Sequence, residues 1–348
     1  MSAPFVPATR LSGAFYREVV RPLLAGRPHG AALLGWGSDV LGYDSARSTD
    51  HGWGPRLGVF LRGEDEVEDV RERLEAGLPE RFEGWPVRFG WDAVEVSHKV
   101  SVMTLPRWSI DQLGVDATSG MSRLDWLLTP QQRLLGVVGG AVYADDFGTL
   151  ARLRDTLTWY PDQIWRWILA CQWHRLAQEE AFVARTAEVG DETGSAFTAA
   201  RLVRDVMRLA LLLERRYAPY QKWLGTAFGR VRHPDRLPQH LARTVRAGDV
   251  TAREEALADA YGAIAGRHNG AGLTAAVDPG TRSYYGRPAR VLMADRFTDA
   301  CLATVTDPVL RALPLVGAVD QVVDSTDVLQ YPLRYRRLAP LYAPETDR

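Results

Sequence analysis

The residues best suited to chemistry lie between Gly35 and Arg56, in the run Gly-Trp-Gly-Ser-Asp-Val-Leu-Gly-Tyr-Asp-Ser-Ala-Arg-Ser-Thr-Asp-His-Gly-Trp-Gly-Pro-Arg. A short apolar run, Ala31 to Leu34, enters a Gly-x-Gly-Ser turn ending at Gly37 and Ser38. Such a turn can expose backbone N–H groups. A short helix starting near Asp39 would add its own N-terminal donors, and together they make a place for phosphate oxygens. A polar loop follows, with Asp50 expected at the start of the next strand. A carboxylate beside a phosphate cradle is how a protein holds Mg²⁺ against a nucleotide. Taken alone, the same turn serves equally as plain structural connection. A dinucleotide-binding fingerprint is disfavoured, because no third glycine and no ribose-binding acid follow at the right distance.

Other charged groups stand further along the chain. Glu179 and Glu180, on a Trp-rich helical stretch, could meet an acceptor amine or pair with an arginine such as Arg185. Arg201, Arg204 and Arg208 share a helix face, as an ion-pair ladder or as forks for a phosphorylated ligand. Asp191 and Glu192 sit in a Gly-bounded turn, where a helix cap is the simplest role. Trp165, Trp173, Tyr217 and Trp223 are expected in the core. His51 is expected to pack rather than act as a base. No Gly-x-Ser-x-Gly or His-Glu-x-x-His motif points to a hydrolase.

The elements that must position these groups fall into two regions. Over residues 1–150 the hydrophobic period alternates. A helix is expected at Phe15–Leu24, strands at Ala31–Leu34, Leu57–Leu61 and Val94–Met103, and a surface helix at Glu64–Gly77. Thr129-Pro130 reads as a helix start, and Ala141 leads through Tyr143 to a turn at Asp145–Gly148. This is a mixed α/β (α+β) domain with a small sheet. Over residues 151–348 helix follows helix, at Ile164–Phe182, Ala199–Tyr217 and about 252–266, 288–305 and 308–323, which predicts a helical bundle.

Composition narrows the function classes. The chain has 348 residues, 46% hydrophobic and 24% charged, and its net charge is −1. Disorder is excluded for most of it. Near-neutrality argues against nucleic acid as a partner, which draws on clustered cations. No run reaches the ~18 apolar residues of a membrane span. The start, Met1-Ser-Ala-Pro-Phe, lacks a basic-then-apolar leader, so a cytoplasmic location is expected. Oligomerisation stays open. Cys171 and Cys301 cannot build a disulfide framework, and Cys171 with His174 is too isolated for zinc. Of the 42 basic residues only Lys99 and Lys222 are lysines, so a retained lysine is more informative here than an arginine.

Gly37-Ser38, Gly42 and Thr49-Asp50 together resemble the nucleotidyltransferase superfamily. The chain is closest to the uncharacterised bacterial domain-of-unknown-function family 4037. Gly37 to Asp44, Trp53 to Arg56, Tyr160-Pro161, Gln178 to Glu180, Gly190 to Ser195, Tyr217 to Phe228, His268-Asn269 and Arg287-Pro288 carry that resemblance. The superfamily resemblance implies Mg²⁺-dependent transfer of a nucleoside monophosphate from a nucleoside triphosphate, ATP foremost, to a hydroxyl of a small-molecule acceptor. Gly37 and Ser38 would cradle phosphates, and Asp50 would be the first metal carboxylate. The second carboxylate should sit two residues on, where the chain has Gly52. The third is expected at Glu95, between Val94 and Val96, as metal ligand or base. Asp39 or Asp44 could be recruited instead, or the site could hold no metal. Related small-molecule enzymes close a helical domain over the sheet domain, which makes Lys222 a candidate phosphate ligand beside a surface, snorkelling role. The alternative function is a degenerate nucleotide-binding or regulatory module without catalysis.

Overall fold

The computed structural model describes residues 5–50, 52–91 and 94–343. His51 lies outside the described residues. The chain divides into two compact units. One comprises residues 1–125, 129–158 and 330–336, and the other 126–128, 159–329 and 337–348.

The first unit is built on a five-stranded mixed sheet. Its strands are β1 (Gly30–Leu33), β2 (Arg56–Leu61), β3 (Arg88–Trp91), β4 (Val94–Thr104) and β5 (Ala141–Asp145), in the order β3-β4-β2-β1-β5. Only β2 and β4 are parallel, with Arg56 opposite Lys99 and Gly58 opposite Ser101. Side chains alternate across the sheet, so Leu57, Val59 and Leu61 share a face with Val100 and Val102. That face forms the core with Leu11 and Phe15 of α1 (Ala8–Phe15) and with Val67, Val70 and Leu74 of α2 (Val67–Gly77). Each such side chain contributes about 1.5–3 kcal/mol on burial.

The opposite face carries Arg56, Gly58 and Phe60 on β2 and Lys99, Ser101 and Met103 on β4. It is partly covered by α3 (Leu105–Leu113), which leaves β4 without a loop and ends at Gly114 in the left-handed conformation. Trp108 of α3 meets Phe60 edge-on at 5.8 Å. A Cβ at Gly58 would come within 2.8 Å of the Phe60 ring, so glycine is needed there. Then follow α4 (Gln131–Val138) and α5 (Thr149–Thr156). Pro130 is the N-cap of α4 rather than its first helical residue. The first helix begins at Ala8, earlier than its apolar pattern implies, and continues through a π turn at Tyr16–Val20 to Leu23.

The second unit is mostly helical. Its long helices are α6 (Asp162–Glu179), α7 (Phe182–Glu188), α8 (Glu192–Leu213), α9 (Gln221–Gly229), α10 (Leu237–Arg246), α11 (Val250–Gly270) and α12 (Asp295–Leu302). Apolar residues surround α6 on every side, the signature of a central buried helix. Trp165, Trp167 and Trp173 are all fully enclosed. Trp165 donates its indole N–H to Leu212 O at 2.9 Å, and Trp173 donates to His268 Nδ1 at 3.1 Å. The expected helix at 288–305 is instead a two-stranded ribbon, β6 (Arg282–Tyr284) and β7 (Arg287–Val291), followed by the shorter α12. Tyr285 and Gly286 make its turn, both with positive φ. The stretch expected as one helix at 308–323 is two short pieces, Pro308–Arg311 and Val319–Val322. Among the described residues no helix is long and apolar enough to cross a membrane.

Candidate functional site

A cavity of about 320 Å³ opens between α3 and the sheet face that carries Arg56 and Lys99. Its floor is the parallel pair, with Arg56 and Gly58 beside Lys99 and Ser101. Trp36 and Trp91 stand at one side, and Asp111 and Gln112 of α3 at the other. The two indoles meet edge to face at 5.7 Å.

The Gly-x-Gly-Ser turn takes a conformation different from a helix start. Ser38–Gly42 is a turn, with Tyr43 N donating to Ser38 O at 2.8 Å, and no helix begins at Asp39. The turn grips an arginine. Arg56 Nε and Nη2 fork onto the Asp39 carboxylate at 2.6 and 2.8 Å, and Nη2 also donates to Trp36 O at 2.6 Å. The guanidinium lies 5.4 Å from the Trp36 ring centroid. Gly37, at φ +120°, is glycine for a steric reason as well, because a Cβ would collide with Asp39 Oδ1 and Arg56 Nη2. Gly37 and Ser38 therefore shape the Asp39–Arg56 pair. Asp39 is committed to that pair, and Asp44 accepts from Ala8 N at 2.8 Å, with burial raising its pKa.

Of the two cations on the cavity floor, Lys99 has no carboxylate partner among the described residues. Its Nζ donates to Ser97 Oγ at 2.9 Å and to Glu95 O at 3.1 Å, and it lies 5.5 and 5.8 Å from the Trp91 and Phe89 rings. Partial desolvation lowers its pKa. His98 pairs with Glu75 at 3.0 Å, and burial lowers its pKa.

The expected carboxylates sit apart from this cavity. Asp50 is exposed and closes a 3₁₀ turn, Ala46–Asp50, ahead of β2 rather than on it. Gly52 is likewise off the strand, at φ +61°, where a Cβ would strike the Trp91 ring at 2.7 Å. Glu95 lies at the exposed start of β4, and its neighbour Val96 is 67% exposed, so the apolar flanks that singled it out are themselves solvated. Neither Asp50 nor Glu95 lines the cavity. Among the described residues no three His, Cys, Asp or Glu side chains converge to hold a metal ion.

In the second unit, Lys222 is exposed on the first turn of α9, with Nζ 5.2 Å from the Trp223 ring centroid. Glu179 pairs with Arg201 at 2.6 Å, not with Arg185, and Glu180 accepts backbone N–H groups. Arg204 pairs with Asp324, and Arg208 donates to Asp320 O, so the arginine stripe is an internal ladder. Asp191 caps α8 by accepting from Gly194 N at 2.7 Å. His174 pairs with Asp295 at 3.0 Å, and Cys171 is a free, buried thiol. His268 and Asn269 are structural too. His268 accepts from Trp173 and bonds Thr274 Oγ1, and Asn269 bonds both N and O of Val277.

Sequence reasoning missed Lys99, Ser101, Trp91 and Gln112 as lining residues. A usable signal existed in β4. Lys99 and Ser101 alternate with the core valines 100 and 102, which puts a rare lysine on the face that carries Arg56.

The first unit is thus a mixed α/β fold bearing a cavity lined by Arg56, Lys99 and three indoles, Trp36, Trp91 and Trp108. Over residues 126–224 the chain matches the family described as domain of unknown function DUF4037. No curated protein matches it.

Proposed function

We propose that the first unit is a nucleotidyltransferase-like module that binds a nucleotide in the β2–β4 cavity through side-chain cations. The succession β1, Gly35–Ser38 turn, β2, α2 and parallel β4 supports the superfamily reading. The observation that carries the binding reading is the register of Arg56 against Lys99 with Trp36 and Trp91 beside them. Phosphate oxygens suit the guanidinium and ammonium groups, and a base suits the indole faces. Lys99 takes the leading electrostatic role, since Arg56 is already neutralised by Asp39. We take this binding to be metal-independent because neither Asp50 nor Glu95 lines the cavity, which favours the degenerate module over Mg²⁺-dependent transfer to a small-molecule hydroxyl.

Calorimetric titration with ATP and AMP, with and without Mg²⁺, tests this. Wild type should bind ATP without Mg²⁺, and Lys99→Ala should weaken it about tenfold, the loss of one charge-assisted contact. Asp50→Ala should leave Mg²⁺-free binding unchanged. Binding that requires Mg²⁺ and disappears in Asp50→Ala would instead support nucleotidyl transfer. A Lys222→Ala loss greater for ATP than for AMP would bring the helical unit into phosphate binding. No binding of ATP by wild type would end the nucleotide reading.

A further inference from the structure

Arg133, on α4, is a half-buried cation, and burial lowers its pKa. A guanidinium so placed is normally met by a carboxylate. Here Nη1 donates to a neutral amide, Gln112 Oε1, at 3.2 Å. The titratable groups facing the guanidinium are the hydroxyls of Tyr331 and Tyr335, and among the described residues no carboxylate pairs with it.

Gln112 is also a lining residue of the cavity. A side-chain amide has one acceptor end and one donor end. With Oε1 taken by Arg133, the Nε2 end is the one left for a ligand. The surroundings hold this arrangement. Tyr335 donates its hydroxyl to Gln112 O at 3.4 Å. Gly35, at φ +100°, has Gln112 Oε1 3.4 Å from where a Cβ would stand, and its N–H donates to Gly136 O of α4 at 2.9 Å. The glycine turn, α3 and α4 thus converge on one amide.

We infer that Arg133 is a positioning residue that fixes the Gln112 amide, so that the cavity presents an N–H donor to an acceptor atom of the bound nucleotide. This rests on the nucleotide reading above, yet half of it is testable without ligand. Gln112→Glu gives Arg133 the carboxylate it lacks. The urea midpoint should therefore rise in the wild-type background and fall in the Arg133→Met background. The same Gln112→Glu should weaken Mg²⁺-free ATP binding at least tenfold, through loss of the donor and gain of a negative charge. Stability and affinity then move in opposite directions, which a merely structural glutamine would not produce. Arg133→Met should weaken ATP binding severalfold, Arg133→Lys should restore part of it, and Arg133→Met with Gln112→Ala should lose no more than Gln112→Ala alone.

A midpoint change in Gln112→Glu that ignores residue 133 overturns the inference, as does unimpaired ATP binding by Gln112→Glu. If the stability cycle behaves as expected while wild type fails to bind ATP, the nucleotide reading falls and the Arg133–Gln112 lock stands.

Discussion

Glu180→Ala is expected to lower the stability of the helical unit by about 4 kcal/mol at pH 5, read from the urea midpoint. The side chain is only 6% exposed. Its oxygens accept from the backbone N–H groups of Leu292, Met293 and Ala294 at 2.7, 3.2 and 2.9 Å. These groups join the end of β7 to the start of α12. They turn at Met293, which has φ +57° without being glycine. Removing the carboxyl leaves three enclosed donors with nothing to bond, and each such group costs about 1–3 kcal/mol.

The penalty depends on pH with a definite sign. Burial pushes the Glu180 carboxyl up to about 7 from its ordinary 4.5, against the downward pull of the three N–H groups. The folded protein therefore holds this proton more tightly than the unfolded chain. Its contribution is full below pH 4.5 and is lost as the pH rises through about 7, a change on the order of 3 kcal/mol. The gap between wild type and Glu180→Ala should narrow between pH 5 and pH 8. Glu180→Gln keeps one acceptor and should show a smaller gap that does not vary with pH. A gap that widens toward alkaline pH would refute the assignment.

How far the sequence revealed this molecule differs from element to element. The strands now seen at Gly30–Leu33, Arg56–Leu61 and Val94–Thr104 were legible to within a residue or two, the first two as short apolar runs buried on both faces and the third through the period of two at Val100 and Val102. The three long helices of the second unit, Asp162–Glu179, Glu192–Leu213 and Val250–Gly270, were legible because their apolar patterns are long, whereas the shorter ones were not. The ribbon at 282–291 was not. Its strands are too short to show alternation, and its turn relies on Tyr285, a non-glycine residue with positive φ. At the candidate site the turn glycines were legible as glycines but not in purpose. Gly37 is there because Arg56 and Asp39 fill the space, a contact between segments 17 residues apart. Glu95 looked like a strand-embedded acid because valines flank it, but sequence cannot say which valines are solvated. Lys99 and Lys222 stood out equally by rarity, and what separates them is the alternation of Lys99 with Val100 and Val102 on β4.

The Asp39–Arg56 fork gives the sharpest test of a cation-lined site, because its two halves should act on binding in opposite directions. Arg56 is half-buried and carries the only guanidinium on the cavity floor. Asp39 offsets that charge through two short bonds. Arg56→Met should weaken Mg²⁺-free ATP binding by about threefold, less than the loss in Lys99→Ala, because Asp39 already offsets most of the guanidinium's charge. Asp39→Asn should tighten it severalfold, since the guanidinium is then free to meet phosphate. Its apparent affinity should also fall more steeply with added salt. Both variants should lose about 1–2 kcal/mol of fold stability, because each strands the other partner in a partly desolvated place. Affinity thus separates the two substitutions while stability does not. Were both to weaken ATP equally, the pair would be a brace for the glycine turn, and Lys99 alone would remain as the anion contact.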